Sequence, residues 1–83
     1  MIGMASRLGM RAPDGTDPQS LREGEFCLTR NRWWVFPPRA RSAGALDEGW
    51  RVVEHRDGSI SARPGIHEPG RFRGRLIRGR WVW

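Results

Sequence analysis

Turn-forming residues are spread along the whole of this 83-residue chain, and they limit the length of any helix or strand. Eleven glycines and six prolines interrupt it. Glycine weakens helix interiors and proline removes a backbone donor, so the pattern favours short strands joined by turns over long helices. A chain of this length buries only about 60–65% of its unfolded surface, so its core is thin. Five tryptophans and three phenylalanines supply large rings to fill that core.

Two segments have the pattern of β-hairpins. The first joins two apolar runs, residues 25–29 and 33–36, through residues 30–32, where an asparagine tolerates positive φ. The second lies within residues 50–63 and turns at Asp57-Gly58, a dipeptide that is typical of tight hairpin turns. The centre of the chain is therefore predicted to be an antiparallel sheet.

The C-terminal segment alternates basic and apolar side chains. Residues 71–77 predict a strand that turns at Arg78-Gly79 and is followed by a short final strand. Because successive side chains of a strand point to opposite faces, Phe72, Gly74 and Leu76 are expected to face a core. The opposite, exposed face carries Arg71, Arg73 and Arg75. The predicted core consists of Phe36, Trp50, Val52, Ile60, Phe72 and Leu76.

The predicted fold class is mostly β, a small antiparallel sheet or partly open barrel of about five short strands. Residues 1–20 are predicted to be a flexible N-terminal arm, because residues 13–18 are dense in turn formers and show no apolar periodicity. The β domain is expected to span residues 21–83. Within it, residues 39–48 are expected to form a polar loop with room for one helical turn, and residues 64–70 a second loop.

The charge pattern points to an anionic partner. All fifteen basic residues are arginine, and the formal net charge is +6. A GC-rich genome explains the absence of lysine, but it does not explain five arginines in the last thirteen residues, a segment without an acid. The planar guanidinium binds phosphate or carboxylate bidentately. The candidate partner-binding residues are Arg71, Arg73, Arg75, Arg78, Arg80, Trp81 and Trp83, together with Arg30 and Arg32 of the first hairpin.

The residues that usually carry catalysis or metals are few and badly spaced. Cys27, His55 and His67 form no C-x-x-C or H-x-x-x-H pair, so we predict no metal site and no cofactor. The single cysteine has no partner for an internal disulfide and is expected to be a small buried apolar residue. Glu54 and Asp57 have the positions of strand-end and turn residues, so no catalytic activity is predicted.

The sequence shows no targeting signal, which points to the cytoplasm. The N-terminus lacks the apolar run of a signal peptide, and no stretch reaches the length needed to span a bilayer. A lone cysteine fits a reducing compartment. The expected location is the cytoplasm, with no membrane contact.

Two motifs near the C-terminus resemble a protein family. Residues 52–66 read V-V-E-H-R-D-G-S-I-S-A-R-P-G-I, and residues 72–81 read F-R-G-R-L-I-R-G-R-W. They resemble a family of small proteins from tailed phages and prophages, in which V-x-E-H-x-D-G-[ST]-I-[ST]-x-x-P-S-I precedes W-H-G-x-L-x-x-G-x-W. Gly65 stands where the family has serine, and Phe72-Arg73 where it has Trp-His. The resemblance implies a compact β fold and a phage or prophage origin, but no particular activity.

The functional prediction follows from the charge and from this resemblance. We expect a non-catalytic binding protein, an inhibitor of host defence of the anti-CRISPR type that binds a host nucleic-acid-handling complex through its arginine-rich face. The expected contact is an acidic protein surface, guide RNA or target DNA, or a steric wedge near a nucleic-acid channel, since a basic chain does not imitate DNA. One alternative is a direct nucleic-acid binder, with arginines on phosphates and Trp81 or Trp83 stacked on bases. The other is a structural accessory of the phage head or tail.

Overall fold

The computed structural model describes residues 5–83, which form two short β-sheets. The strands are β1 (Ser6–Leu8), β2 (Met10–Arg11), β3 (Glu25–Thr29), β4 (Arg32–Val35), β5 (Gly44–Ala45), β6 (Arg51–Glu54), β7 (Ile60–Glu68), β8 (Phe72–Ile77) and β9 (Arg80–Val82), with one 3-10 turn at Pro18–Ser20. The mostly β prediction is confirmed, with nine strands instead of about five, and the sheets do not close into a barrel. No helix within residues 5–83 is long and apolar enough to cross a membrane.

Each sheet is built around one of the predicted hairpins. The five-stranded sheet has the order β1-β9-β8-β7-β6, and all its neighbouring strands are antiparallel. The four-stranded sheet has the order β2-β3-β4-β5, in which only the β2–β3 pair is parallel. The two sheets pack face to face over a shared apolar core.

Two-residue turns set the strand register. Arg30 and Asn31 both have positive φ, at 56° and 62°, so the first hairpin turns over two residues and not the predicted three. Arg78 and Gly79, at 47° and 75°, form the same kind of turn between β8 and β9. These turns match the right-handed twist of the strands, which is why the flanking residues pair in tight register.

The core between the sheets is aromatic and aliphatic. Its buried members are Phe26, Val35, Ile60, Ala62, Phe72, Leu76 and Trp81. Trp81 is fully buried, and its indole N–H donates a hydrogen bond to the Gly24 carbonyl at 2.8 Å, which links the two sheets. Phe72 meets its ring edge-on, with centroids 5.5 Å apart. The predicted burial of Ile60, Phe72 and Leu76 is confirmed. The other predicted core residues, Phe36, Trp50 and Val52, are half-buried.

The prediction of a flexible N-terminal arm is wrong for residues 5–20. Strand β1 adds to the edge of the five-stranded sheet beside β9, and β2 adds to the other sheet beside β3. The chain changes sheets at Gly9, whose N–H donates to the Gly79 carbonyl at 2.7 Å. A Cβ at this position would lie 2.7 Å from the same oxygen, so the crossing requires glycine. Residues 1–4 of the predicted arm lie outside the described residues.

The N-terminal segment also covers the outer side of the four-stranded sheet. Ala12, Leu21 and Cys27 are buried there as a second, smaller cluster, with Trp34, Phe36 and Ala43 packed against it. The prediction that Cys27 is a buried apolar residue is confirmed. The molecule therefore has three layers: the N-terminal segment, the four-stranded sheet and the five-stranded sheet. The outer face of the five-stranded sheet is left uncovered.

Both predicted loops of the β domain contain strand. Residues 44–45 form β5 beside β4, in place of the expected helical turn. Strand β7 continues through the second loop to Glu68, with a register shift against β8 between Ala62 and Ile66. Three residues of β7 lie opposite one residue of β8 there, which is a β-bulge. The bulge accommodates Pro64 within a paired strand.

Candidate functional site

Strand alternation places arginines on the open face of the five-stranded sheet. In β8, Phe72 and Leu76 are buried, so the intervening Arg73 and Arg75 point outward and are exposed. Arg80 of β9 lies opposite Ile77 and shares their face. This confirms the predicted outward orientation of the arginines within β8.

The bulged strand and its neighbour extend this surface. His67 of β7 lies opposite Arg73, so it also points outward. Arg63 lies directly opposite Arg51 of β6, and both are exposed. We call this surface the arginine face. It comprises Arg51, Arg63, Arg73, Arg75 and Arg80, together with His67.

The carboxylates of the same five strands lie on the opposite face. Glu54 lies opposite buried Ile60 and accepts a hydrogen bond from Arg11 at 2.7 Å. Glu68 lies opposite buried Phe72 and accepts one from the backbone N–H of Arg41 at 3.1 Å. The four ion pairs found within residues 5–83 contain none of the arginine-face residues. Each positive charge of this face is therefore free to meet a partner.

The arrangement carries an electrostatic cost. Like charges directly opposite on paired strands destabilise a sheet, by up to about 1 kcal/mol per pair. Arg51 and Arg63 form such a pair, and the described strands supply no carboxylate on that face to relieve it. An anionic group bound between the two guanidinium groups would remove this repulsion.

Aliphatic side chains are interspersed with the arginines. Leu8, Val53 and Ile77 are 65%, 50% and 43% exposed, and each pairs in register with a residue on the outer face. Leu8 and Ile77 flank Arg80 from the two sides. No Phe or Trp side chain of the five described strands points outward. The surface therefore offers charge and aliphatic contact, with the imidazole of His67 in place of a large aromatic ring.

Trp81 is not a surface residue, so the prediction that it contacts a partner is wrong. The two-residue turn at Arg78-Gly79 places it opposite Leu76, and paired residues share a face. Both side chains are fully buried. Trp83 is half-buried, with its ring 5.8 Å from that of Phe72.

The remaining predicted residues lie at three places. Arg71 and Arg78 are exposed in the turns that flank β8, next to the arginine face. Arg30 and Arg32 are exposed at the β3–β4 turn of the other sheet, where Arg32 pairs with Asp47 at 3.3 Å. The predicted set is thus divided between two surfaces.

Sequence reasoning missed Arg51, Arg63 and His67. The signal for the first two was present, because the Asp57-Gly58 hairpin sets the β6–β7 register and pairs Arg51 with Arg63. The bulge in β7 hides the position of His67, since it breaks the simple alternation on which side-chain placement depends.

Two further titratable groups, His55 and Asp57, have structural partners in the second hairpin. The Nε2 of His55 lies 2.8 Å from the Ser61 hydroxyl, across the second hairpin. The pKa of Asp57 is lowered because the hydroxyl and backbone N–H of Ser59 both donate to its carboxylate. Among residues 5–83 no three His, Cys, Asp or Glu side chains converge as metal ligands would.

Comparison with known proteins gives no relative: no family model, curated protein or solved structure matches this chain.

Proposed function

We propose that this chain is a non-catalytic binding protein that docks its arginine face onto an acidic protein surface. The observation that carries the proposal is the segregation of charge on the five-stranded sheet, with five arginines outward and both strand carboxylates inward. Guanidinium groups bind carboxylates bidentately and lose less hydration than ammonium groups when they enter an interface. Electrostatic complementarity of this kind sets orientation and speeds association.

The composition of the face favours protein over nucleic acid as its partner. Arginine and apolar side chains without carboxylates are typical of the centre of protein–protein interfaces. Proteins that bind single-stranded nucleic acid on a sheet stack the bases on aromatic rings, and Trp81 is buried where it cannot do so. Exposed Leu8, Val53 and Ile77 instead fit the aliphatic part of a protein surface.

The resemblance to small phage proteins supports a bacterial host cell as the place where this binding occurs. We propose that the partner belongs to a host nucleic-acid-handling complex in the bacterial cytoplasm, and that binding inhibits host defence. A structural role in the phage particle is the competing proposal. Detection of the protein in purified virions would favour that competitor.

Affinity capture from a bacterial host lysate tests the proposal. The immobilised wild-type protein is compared with the double variant Arg73→Gln/Arg75→Gln, and bound proteins are identified by mass spectrometry. The matched control is Arg22→Gln/Arg39→Gln, which loses the same two charges from exposed positions outside the arginine face. We expect wild type and control to retain one partner after nuclease treatment, and the face variant to bind it at least tenfold more weakly.

Two results would contradict the proposal. The first is full binding by a folded face variant, which would exclude the arginine face as the contact. The second is loss of the partner from wild type after nuclease treatment, which would show that nucleic acid mediates capture.

A further inference from the structure

A groove crosses the outer side of the four-stranded sheet, which faces away from the arginine face. It consists of two adjoining depressions of about 500 and 540 Å³. Asp17, Pro18, Arg30 and Trp34 line both, so the two are continuous. Pockets of about 300–1,000 Å³ are typical of sites for small molecules and cofactors.

Trp34 is the aromatic part of this groove. It lies in β4 opposite Cys27, and it packs against the buried cluster that Cys27 forms with Ala12 and Leu21. This packing fixes the position of the indole, while its half-buried state leaves part of the ring to the groove. A ring held rigidly at the side of a groove is suited to stacking against a flat ligand.

Three arginines line the two depressions together with this ring. Arg30 lines both depressions, Arg32 lines one and Arg41 lines the other. Arg32 forms an exposed ion pair with Asp47 at 3.3 Å, and exposed pairs of this kind exchange at little cost. The acid of the groove is Asp17, whose Oδ1 accepts a hydrogen bond from the Gln19 backbone at 2.9 Å. Arginines therefore outnumber acids by two to one in the lining of each depression.

We propose that this groove binds a single strand of nucleic acid. One base stacks on Trp34, and the phosphates on either side of that base pair with Arg30 and Arg41. Base stacking on an aromatic ring together with arginine on the backbone is the way in which single strands are bound without sequence readout. A duplex does not fit, because its bases are already stacked on each other. This site shares no residue with the arginine face and does not depend on the function proposed for it.

Fluorescence anisotropy with a labelled eight-nucleotide DNA of mixed sequence tests the proposal. The decisive variant is Arg30→Gln/Arg41→Gln, which leaves both apolar clusters intact. The matched controls are Arg22→Gln/Arg39→Gln and Arg73→Gln/Arg75→Gln, each with the same loss of charge. We expect the groove variant to weaken binding at least fivefold and each control to change it less than twofold. We also expect the slope of log binding constant against log salt concentration to become about 1.4 shallower. Each of the two lost phosphate contacts to a single strand contributes about 0.7 to that slope.

A second variant, Trp34→Leu, removes the stacking ring but keeps an apolar side chain against Cys27. If it folds, we expect at least a fivefold loss of binding with an unchanged salt slope, because stacking is not electrostatic. Equal losses in all three double variants would overturn the proposal, since they would show binding by net charge alone. So would tighter binding of duplex than of single strand, or displacement of the DNA by an equimolar polyglutamate peptide.

Discussion

The indole of Trp81 holds the two sheets together, and Trp81→Phe isolates that contribution. Phenylalanine keeps a ring in the core but removes the N–H that donates to the Gly24 carbonyl. The smaller ring leaves about 40 Å³ unfilled, which costs about 1 kcal/mol. The lost hydrogen bond costs about another 1 kcal/mol, a moderate value because the Met10 N–H still donates to the same carbonyl at 3.2 Å.

The expected loss is therefore about 2 kcal/mol, out of about 4–12 kcal/mol for a domain of this size. Urea denaturation followed by tryptophan fluorescence measures it, and the melting temperature should fall by about 8–16 °C. The matched control is Trp83→Phe, the same chemical change at a half-buried ring, which should cost less than about 1 kcal/mol. Equal losses in the two variants would refute the role given to the Trp81 indole.

Three further predictions concern the N-terminal crossing and the turns. Gly9→Ala should cost about 2 kcal/mol in thermal unfolding, because its Cβ would meet the Gly79 carbonyl, and an unchanged melting temperature would disprove the crossing. Arg11→Gln removes the ion pairs with Asp14 and Glu54, the same contacts that raise the Arg11 pKa. It should lower the free energy of unfolding by about 1 kcal/mol at low salt and by less at 0.5 M salt. Asp57→Ala should destabilise the protein at neutral pH, because hydrogen bonds from Ser59 lower the Asp57 pKa in the folded state. That contribution is present above the ordinary pKa of about 4 and is lost as pH falls through the lower folded value, so the two proteins should converge in acid unfolding below about pH 4.

Local turn chemistry made much of this fold predictable from the sequence. The Asp57-Gly58 turn and the alternation along β8 gave the second hairpin and the outward orientation of Arg73 and Arg75. The burial of Trp81 could have been predicted too. A two-residue turn at Arg78-Gly79 allows only one pairing register between β8 and β9. That register places Trp81 opposite Leu76, on the apolar face.

The N-terminal strands could not be predicted in the same way. Strands β1 and β2 span three and two residues, and neither is buried enough to show an apolar pattern. Their pairing joins Ser6 to Val82 and Met10 to Glu25, so it depends on the rest of the fold being in place. The groove around Trp34 is hidden for the same reason, because residues 15–19 form its wall only after the N-terminal segment has docked.

The central claim is that the arginine face docks on an acidic protein surface. Side-chain NMR tests this claim without knowledge of the natural partner. The protein labelled with ¹⁵N at arginine is titrated with a peptide of alternating glutamate and leucine, and the Nε–Hε resonances are followed. We predict saturable shifts for Arg73, Arg75 and Arg80, with those of Arg22 and Arg39 unmoved. Uniform small shifts across the assigned arginine resonances, or shifts confined to Arg30 and Arg41 of the groove, would contradict the proposal that the arginine face docks on an acidic protein.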